Sequence, residues 1–198
     1  MYRPGHFDAS DPAFCHAVIR AYPFAPFILG NEASHLPFLL DADRGELGTL
    51  VAHVARASPH ADAVTVTSPV TALCIFSGPH GYISPTWYAT GPAVPTWNYV
   101  AVHAYATPRP LDEPATRAYL ERLSAVHDAT YRFSAQPADY QAKMLRGIVA
   151  FDLPVSRLEG KAKLSQNRSD DDVARVIREL ETTGSSELAQ WMRARSPH

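Results

Sequence analysis

The sequence has little with which to hold a metal ion or build a disulfide framework. Its 198 residues include two cysteines, Cys15 and Cys74, without CxxC spacing, so both are expected as free thiols, Cys74 as a small core residue within TALCIF. Nine histidines are present, yet none falls in HxxxH or HExxH spacing, which speaks against metal catalysis. A phosphate-binding P-loop, a dinucleotide-type GxGxxG and a nucleophile-elbow GxSxG are all missing, which removes three large enzyme classes. No run approaches the roughly 18 apolar residues that span a bilayer. The opening MYRPGHFDAS has no positive segment followed by an apolar one, so the expected location is the cytoplasm, with no membrane partner. Charge of one sign is also missing in bulk: 18 Lys and Arg stand against 20 Asp and Glu, net −2. Such a chain sets up no long-range field for nucleic acid, and DNA contact would need a local patch. The one basic region, 143–178, holds eight Lys and Arg against five Asp and Glu.

What is present reads as one globular domain over 1–198, with 46% apolar and 19% charged residues and enough length to bury a core. Asp11 and Pro12 open a short helix, PAFCHAVIRA. FAPFILG and HLPFLLD read as a strand pair, followed by a turn over 41–45. In ELGTLVAHVARAS the apolar residues Leu47, Leu50, Val51 and Val54 are spaced for a helix, with His53 and Arg56 on an adjoining face. TVTSPVTALCIFSG and GYISPTWY read as two strands, and WNYVAVHAYA as a third, with Trp97, Tyr99, Ala101, His103 and Tyr105 on one face and Asn98, Val100, Val102 and Ala104 on the other. Helices are expected over 113–131, in DYQAKMLRG, after Asp170 to Asp172, which can cap VARVIRELE, and in SSELAQWMRAR. Between the last strand, IVAFDLPVSRLEG, and these C-terminal helices from about 170 lies a basic turn. A mainly β fold with flanking helices (α+β), a small antiparallel barrel, is the simplest architecture that hides most strand edges.

Two stretches carry candidate chemistry. EGKAKLSQNR gathers Lys161, Lys163, Gln166, Asn167 and Arg168 beside a glycine, a set suited to a phosphate; the plain alternative is a solvated loop before a helix. Upstream, Tyr82, Trp87, Tyr88, Trp97 and Tyr99 could wall a flat ring while Ser84, Thr96 and Asn98 bond its polar edge. The plain alternative there is that the aromatics fill the barrel. His53 and Arg56, three apart, could hold an anionic group or be an ordinary surface pair.

MYRPGHF, HLPF, HVARASP, GPHGYISPTWY, VPTWNYVAVH and LEGKAKLSQNR, in this order from Met1 to about Trp191, resemble the PaiB family of FMN-binding negative transcriptional regulators. The resemblance implies an FMN-binding split β-barrel, related to pyridoxamine phosphate oxidases and flavin reductases, forming a homodimer with flavin sites at the subunit interface. Carried onto this chain it implies flavin contacts at His53, Arg56, Tyr82, Ser84, Thr96, Trp97, Asn98, Lys161, Lys163, Gln166 and Asn167. One departure stands at 57–61, where Ala-Ser-Pro-His-Ala replaces the family's Asn-Pro followed by Gln-Trp. The expected function is transcriptional regulation with FMN. The alternative is an FMN-dependent oxidoreductase of the flavin reductase or pyridoxamine phosphate oxidase kind, with His103 and Tyr105 as candidate proton-transfer groups. A third reading is haem binding through His35, His53 or His103.

Overall fold

The computed structural model describes residues 1–65, 70–89 and 91–195. Its strands are β1 (Phe24–Leu29), β2 (Glu32–Pro37), β3 (Leu39–Asp41), β4 (Thr49–Ala55), β5 (Ala72–Ile83), β6 (Thr96–Ala106), β7 (Arg109–Pro110) and β8 (Ile148–Lys163). Its helices are α1 (Pro12–Ala21), α2 (Pro59–Thr65), α3 (Glu113–His127), α4 (Ala138–Arg146), α5 (Asp170–Thr182) and α6 (Ser186–Arg195). The sheet order is β2-β1-β5-β6-β8-β4-β3, with β7 paired to β8. The pairings β1–β2, β1–β5, β3–β4, β4–β8 and β7–β8 are antiparallel. By their contacts the residues fall into two compact units, 22–76 with 104–158, and 1–21 with 77–103 and 159–198. The long strands β5, β6 and β8 each contribute to both.

In the first of these units β1 and β2 form a hairpin whose two-residue loop, Gly30-Asn31, has Gly30 at φ 64°, a conformation that costs glycine little. Phe27 and Phe151 pack at 5.2 Å and Phe38 and Phe76 at 5.5 Å, all four buried. Helix α3 lays Tyr119, Leu120 and Leu123 against Leu39, Val51 and Ala150. Asp112 caps α3 by accepting from the Ala115 amide.

Three sequence expectations need correction. The helix expected over ELGTLVAHVARAS is strand β4, in register with β8 from Thr49 opposite Pro154 to Ala55 opposite Ile148. β4 is sandwiched between β3 and β8 and buried on both faces. A strand covered on both faces shows no alternation, so its apolar residues can match helical spacing by accident. The two strands expected around GPHG are one, β5, running through Gly78 and Gly81; residues 66–69 of that expectation lie outside the described residues. The basic turn begins later than expected, because β8 continues through Gly160 to Lys163.

The other unit holds α1, α5 and α6 with parts of β5, β6 and β8; Leu180 of α5 and Leu188 of α6 lie against Gly81 of β5. Cys15, Val18 and Ile19 of α1 are buried, as are Val176 and Leu180 of α5 and Leu188 and Met192 of α6. Asp11 caps α1 through the Phe14 amide. At α5 the cap is Ser169, which accepts from the Asp172 amide, while Asp170 to Asp172 occupy the first turn and complement the helix dipole. The N-terminal segment crosses β8 where there is no side chain: Ala9 N–H donates to the Gly160 carbonyl at 3.0 Å and Gly160 N–H to Ser10 Oγ at 3.1 Å.

A methyl group on Gly160 would sit 2.1 Å from the Ala9 carbonyl oxygen and 2.9 Å from Cys15 Sγ. Backbone rather than a flexible side chain blocks it. Gly160→Ala is therefore expected to cost about 1–3 kcal/mol or more, read from urea unfolding; a variant as stable as the parent would contradict this contact.

Candidate functional site

Where β8 ends, a cleft of about 190 Å³ is lined by Phe7, Tyr88, Val94, Thr96, Asn98, Lys163, Ser165, Asn167 and Arg168. The pleat of β6 aims Thr96 and Asn98 to one side and Trp97 to the other. Asn98 is 1% exposed; its Nδ2 donates to Ser165 Oγ at 2.8 Å, and its Oδ1 has no hydrogen-bond partner among the described residues. Ser165 holds φ 67°, a left-handed turn at the exit of β8. Lys163 Nζ donates to Thr96 Oγ1 and to the Trp97 carbonyl, the latter at 2.9 Å. Burial, and then the neighbouring Lys161, lower the Lys163 pKa below the usual lysine value. Arg168 lies over the Tyr88 ring at 4.3 Å. Among the described residues neither Lys163 nor Arg168 has a carboxylate within ion-pair distance. Two cations, three hydroxyls and two amides around one concavity form a polar set that suits a phosphate ester.

Four of the expected site residues, Thr96, Asn98, Lys163 and Asn167, thus share this cleft, and Tyr88, Ser165 and Arg168 join them. The remainder of this group has other work. Lys161 is buried, donates to the Tyr2 carbonyl at 3.0 Å and lies between the Tyr2 and Tyr99 rings at 5.5 and 5.3 Å. Gln166 spends both ends of its amide on the Leu164 N–H and the Ala162 carbonyl. Ser84 caps the short 3-10 turn over Pro85–Trp87, accepting from the Thr86 amide. Tyr82 and Trp97, 45% and 55% exposed, meet edge to face at 6.2 Å, with His80 6.3 Å from Trp97. Nothing in the sequence pattern singled out Ser165, because a left-handed serine carries no glycine-like signature.

His53 and Arg56 belong to the other unit, at the end of β4 and just beyond it. His53 Nδ1 is 3.0 Å from Tyr119 Oη, and the two rings pack edge to face. Burial holds the His53 pKa below its ordinary value and pushes the Tyr119 hydroxyl well up. The Arg56 guanidinium donates to the carbonyls of Arg146 and Ile148 at 2.9 and 2.8 Å, tying the end of α4 to the start of β8. It also lines a second cleft of about 210 Å³, with Glu113, Thr116, Leu111, Leu145 and Ile148 among the walls. Of the histidines considered as haem ligands, His35 is exposed and stacks on Phe24, and His53 is engaged by Tyr119.

Residues 1–157 match the family model described as "Putative FMN-binding domain". Over 203 residues, covering 97% of this chain and 96% of its relative, the sequence is 29% identical to the Bacillus subtilis protease synthase and sporulation protein PAI 2. The chain belongs to the PaiB family. Several solved structures are similar in fold. The flavocytochrome Anf3 of Azotobacter vinelandii aligns with TM-score 0.62 and 15% identity over 88% of this chain and 78% of its own. The FAD and haem binding protein of Mycobacterium smegmatis aligns with TM-score 0.58 and 17% identity over 84% and 78%. The fold of this PaiB-family chain is the split β-barrel. The matched region ends before Lys161, so the cleft draws Phe7, Tyr88, Val94, Thr96 and Asn98 from inside it and Lys163 to Arg168 from beyond it.

The lowered pKa of His53 has a consequence for stability. The folded protein keeps this imidazole neutral at a pH where the unfolded chain, titrating near 6.5, already takes up a proton. Its contribution is therefore fully present above about pH 6.5 and is lost as pH falls below it. Unfolding free energies measured from pH 7.5 to 5 should decline, with a slope of at most about 1.4 kcal/mol per pH unit from this one group. The decline should be shallower in His53→Gln; parallel curves would remove His53 as a cause.

Proposed function

We propose that this protein binds FMN, with the phosphate in the cleft of Lys163 and Arg168, and that it serves as a negative regulator of transcription. The observation that carries the first part is the pair of cations in one concavity, both without a carboxylate partner among the described residues and both beside hydroxyl and amide groups. Such a donor set fits a phosphate monoester dianion better than a neutral ligand. FMN would bring a flavin capable of one- and two-electron chemistry; the chain's own residues would bind and orient it. Thr96 and Lys163 are held to each other, so an arriving phosphate meets an ammonium already positioned on the strand.

The regulatory role rests on membership of the PaiB family. It is favoured over the oxidoreductase alternative because, among the described residues, the cleft lining offers binding groups and no histidine or carboxylate. Within the basic region 143–178 much of the charge is already engaged. Lys161 is buried, Arg175 pairs with Asp171 at 3.0 Å and Arg157 stacks on Tyr105. DNA contact would then involve few phosphates and a shallow salt dependence.

Two measurements test these parts separately. FMN should be taken up by the parent protein, seen as a shifted flavin absorption band and quenched fluorescence. Lys163→Ala should weaken uptake by about ten- to a hundredfold, the range for losing a hydrogen bond to a charged group. Unchanged affinity in Lys163→Ala, with loss in Arg56→Ala, would move the phosphate to the other cleft. Gel-shift titration of the flavin-loaded protein on promoter DNA at 50 and 200 mM salt should show specific retention; retention no stronger than that of an equally acidic control protein would end the regulatory reading in its direct form.

A further inference from the structure

Opposite charges border the larger cleft without meeting. That cleft, of about 210 Å³, is lined from the unit 22–76 with 104–158, with Arg56 just beyond β4 and Glu113 in the first turn of α3. No ion pair joins the two among the described residues. Each is held by something else. Arg56 commits Nε and Nη2 to the carbonyls of Arg146 and Ile148, which fixes the plane of the guanidinium and leaves Nη1 without an acceptor among the described residues. Glu113 takes both bonds from Arg117 on one oxygen, Oε1. Its other oxygen remains to accept. The rest of the wall is largely apolar, with Leu111, Leu145 and Ile148.

A phosphate monoester is poorly served by this arrangement, because a single guanidinium would attract the dianion while a carboxylate of the same lining repels it. A neutral apolar ligand would leave both charges unused. A zwitterion with an aliphatic body uses every part: the carboxylate meets a planar fork, the ammonium meets Glu113 Oε2, and the body covers the leucine and isoleucine side chains. The volume is below the roughly 300–1,000 Å³ of sites that enclose a drug-sized ligand, which suits a smaller molecule. Because the guanidinium is already fixed, less side-chain ordering is left to oppose binding.

We propose that this cleft binds a free aliphatic α-amino acid, with its carboxylate on Arg56 and its ammonium on Glu113. The site is distinct from the cleft assigned to FMN and does not rest on that assignment.

The test uses the intact protein, with and without saturating FMN, and calorimetry or ligand-observed NMR. L-leucine is compared with isocaproate, isoamylamine and glycine, which lack in turn the ammonium, the carboxylate and the aliphatic body. Leucine should bind at least about tenfold more tightly than isocaproate and isoamylamine, the low end of the range for losing a hydrogen bond to a charged group, and more tightly than glycine. Glu113→Gln should bring leucine down to the level of isocaproate and leave isocaproate no weaker. Isocaproate binding as tightly as leucine, or no binding of leucine, would overturn the proposal without any variant having to fold. So would a Glu113→Gln protein that loses leucine and isocaproate in equal measure, because the carboxylate would then be acting through Arg117 and the start of α3. Saturating FMN should leave the affinity for leucine unchanged; competition between the two would give this cleft to the flavin and sink the amino-acid site, while flavin binding stood. Leucine binding in a protein that takes up no FMN would do the reverse.

Discussion

Ala9 and Gly160 meet backbone to backbone, and the cleft depends on that contact. The N–H of Ala9 reaches the Gly160 carbonyl, Ser10 Oγ accepts from the Gly160 amide, and Asp8 bridges to Lys161. Only a residue without Cβ allows this approach. It fastens the first ten residues across β8, which brings Tyr2 to Lys161 and Phe7 into the cleft lining. It also divides the strand by the period of its pleat. Gly160 and Ala162 are buried on one face, while Glu159, Lys161 and Lys163 share the other.

Along that second face the three charged groups receive different treatment. Glu159 accepts from the Met1 amino group at 2.6 Å, and both are nearly buried. Lys161 is enclosed by two tyrosine rings and a carbonyl. Each is therefore compensated by the N-terminal segment and holds it in place. Lys163, two residues further on, has passed beyond the reach of that segment. It has neutral oxygens for partners, a lysine for a neighbour and a lowered pKa for both reasons of burial and repulsion. An anion brought to Lys163 would reverse the repulsion and restore its ordinary preference for the proton. The same strand thus yields, at adjacent same-face positions, one lysine enclosed by the N-terminal segment and one lining the cleft with neutral oxygens as partners.

The sequence made the outer features legible because they rest on local rules. The helix capped by Asp11, the helix that begins at Glu113 and the strand pair β1–β2 follow from short-range chemistry, and the alternation of β6 exposes its half-buried face directly. β4 was opaque for a tertiary reason: neighbouring strands and covered faces remove the alternation that would have marked it, and what is left imitates a helix. The candidate site was half legible. The strings PTWN and GKAKLSQNR named segments that line the cleft, but which of their residues are already engaged is decided by contacts across long separations. Gln166 turned its amide to the backbone, Ser84 became a cap, and Lys161 was taken up by Tyr2 and Tyr99. Trp97 lies across the pleat from Asn98, a division that period-two alternation does give once the strand is known. Arg168 sat within the quoted basic string, yet its role follows from its position over Tyr88, which no spacing reveals.

The size of the cleft bears on how a flavin would be held. About 190 Å³ suits a phosphate and part of a carbon chain and leaves a three-ring system outside. A ring at the mouth would meet Val94, which is strongly exposed, and the edges of Phe7 and Tyr88. It would not lie on Trp97 and Tyr82, whose cluster faces away from Asn98. In the proposed reading the affinity is therefore concentrated in the tail, where charge-assisted bonds act on a partly desolvated lysine. The ring would be held by little and open to its surroundings, so a change in its redox state could alter what it contacts without first having to break the grip on the phosphate. A cofactor gripped at one end and free at the other is suited to reporting its state to a partner, which is what a regulatory flavin requires.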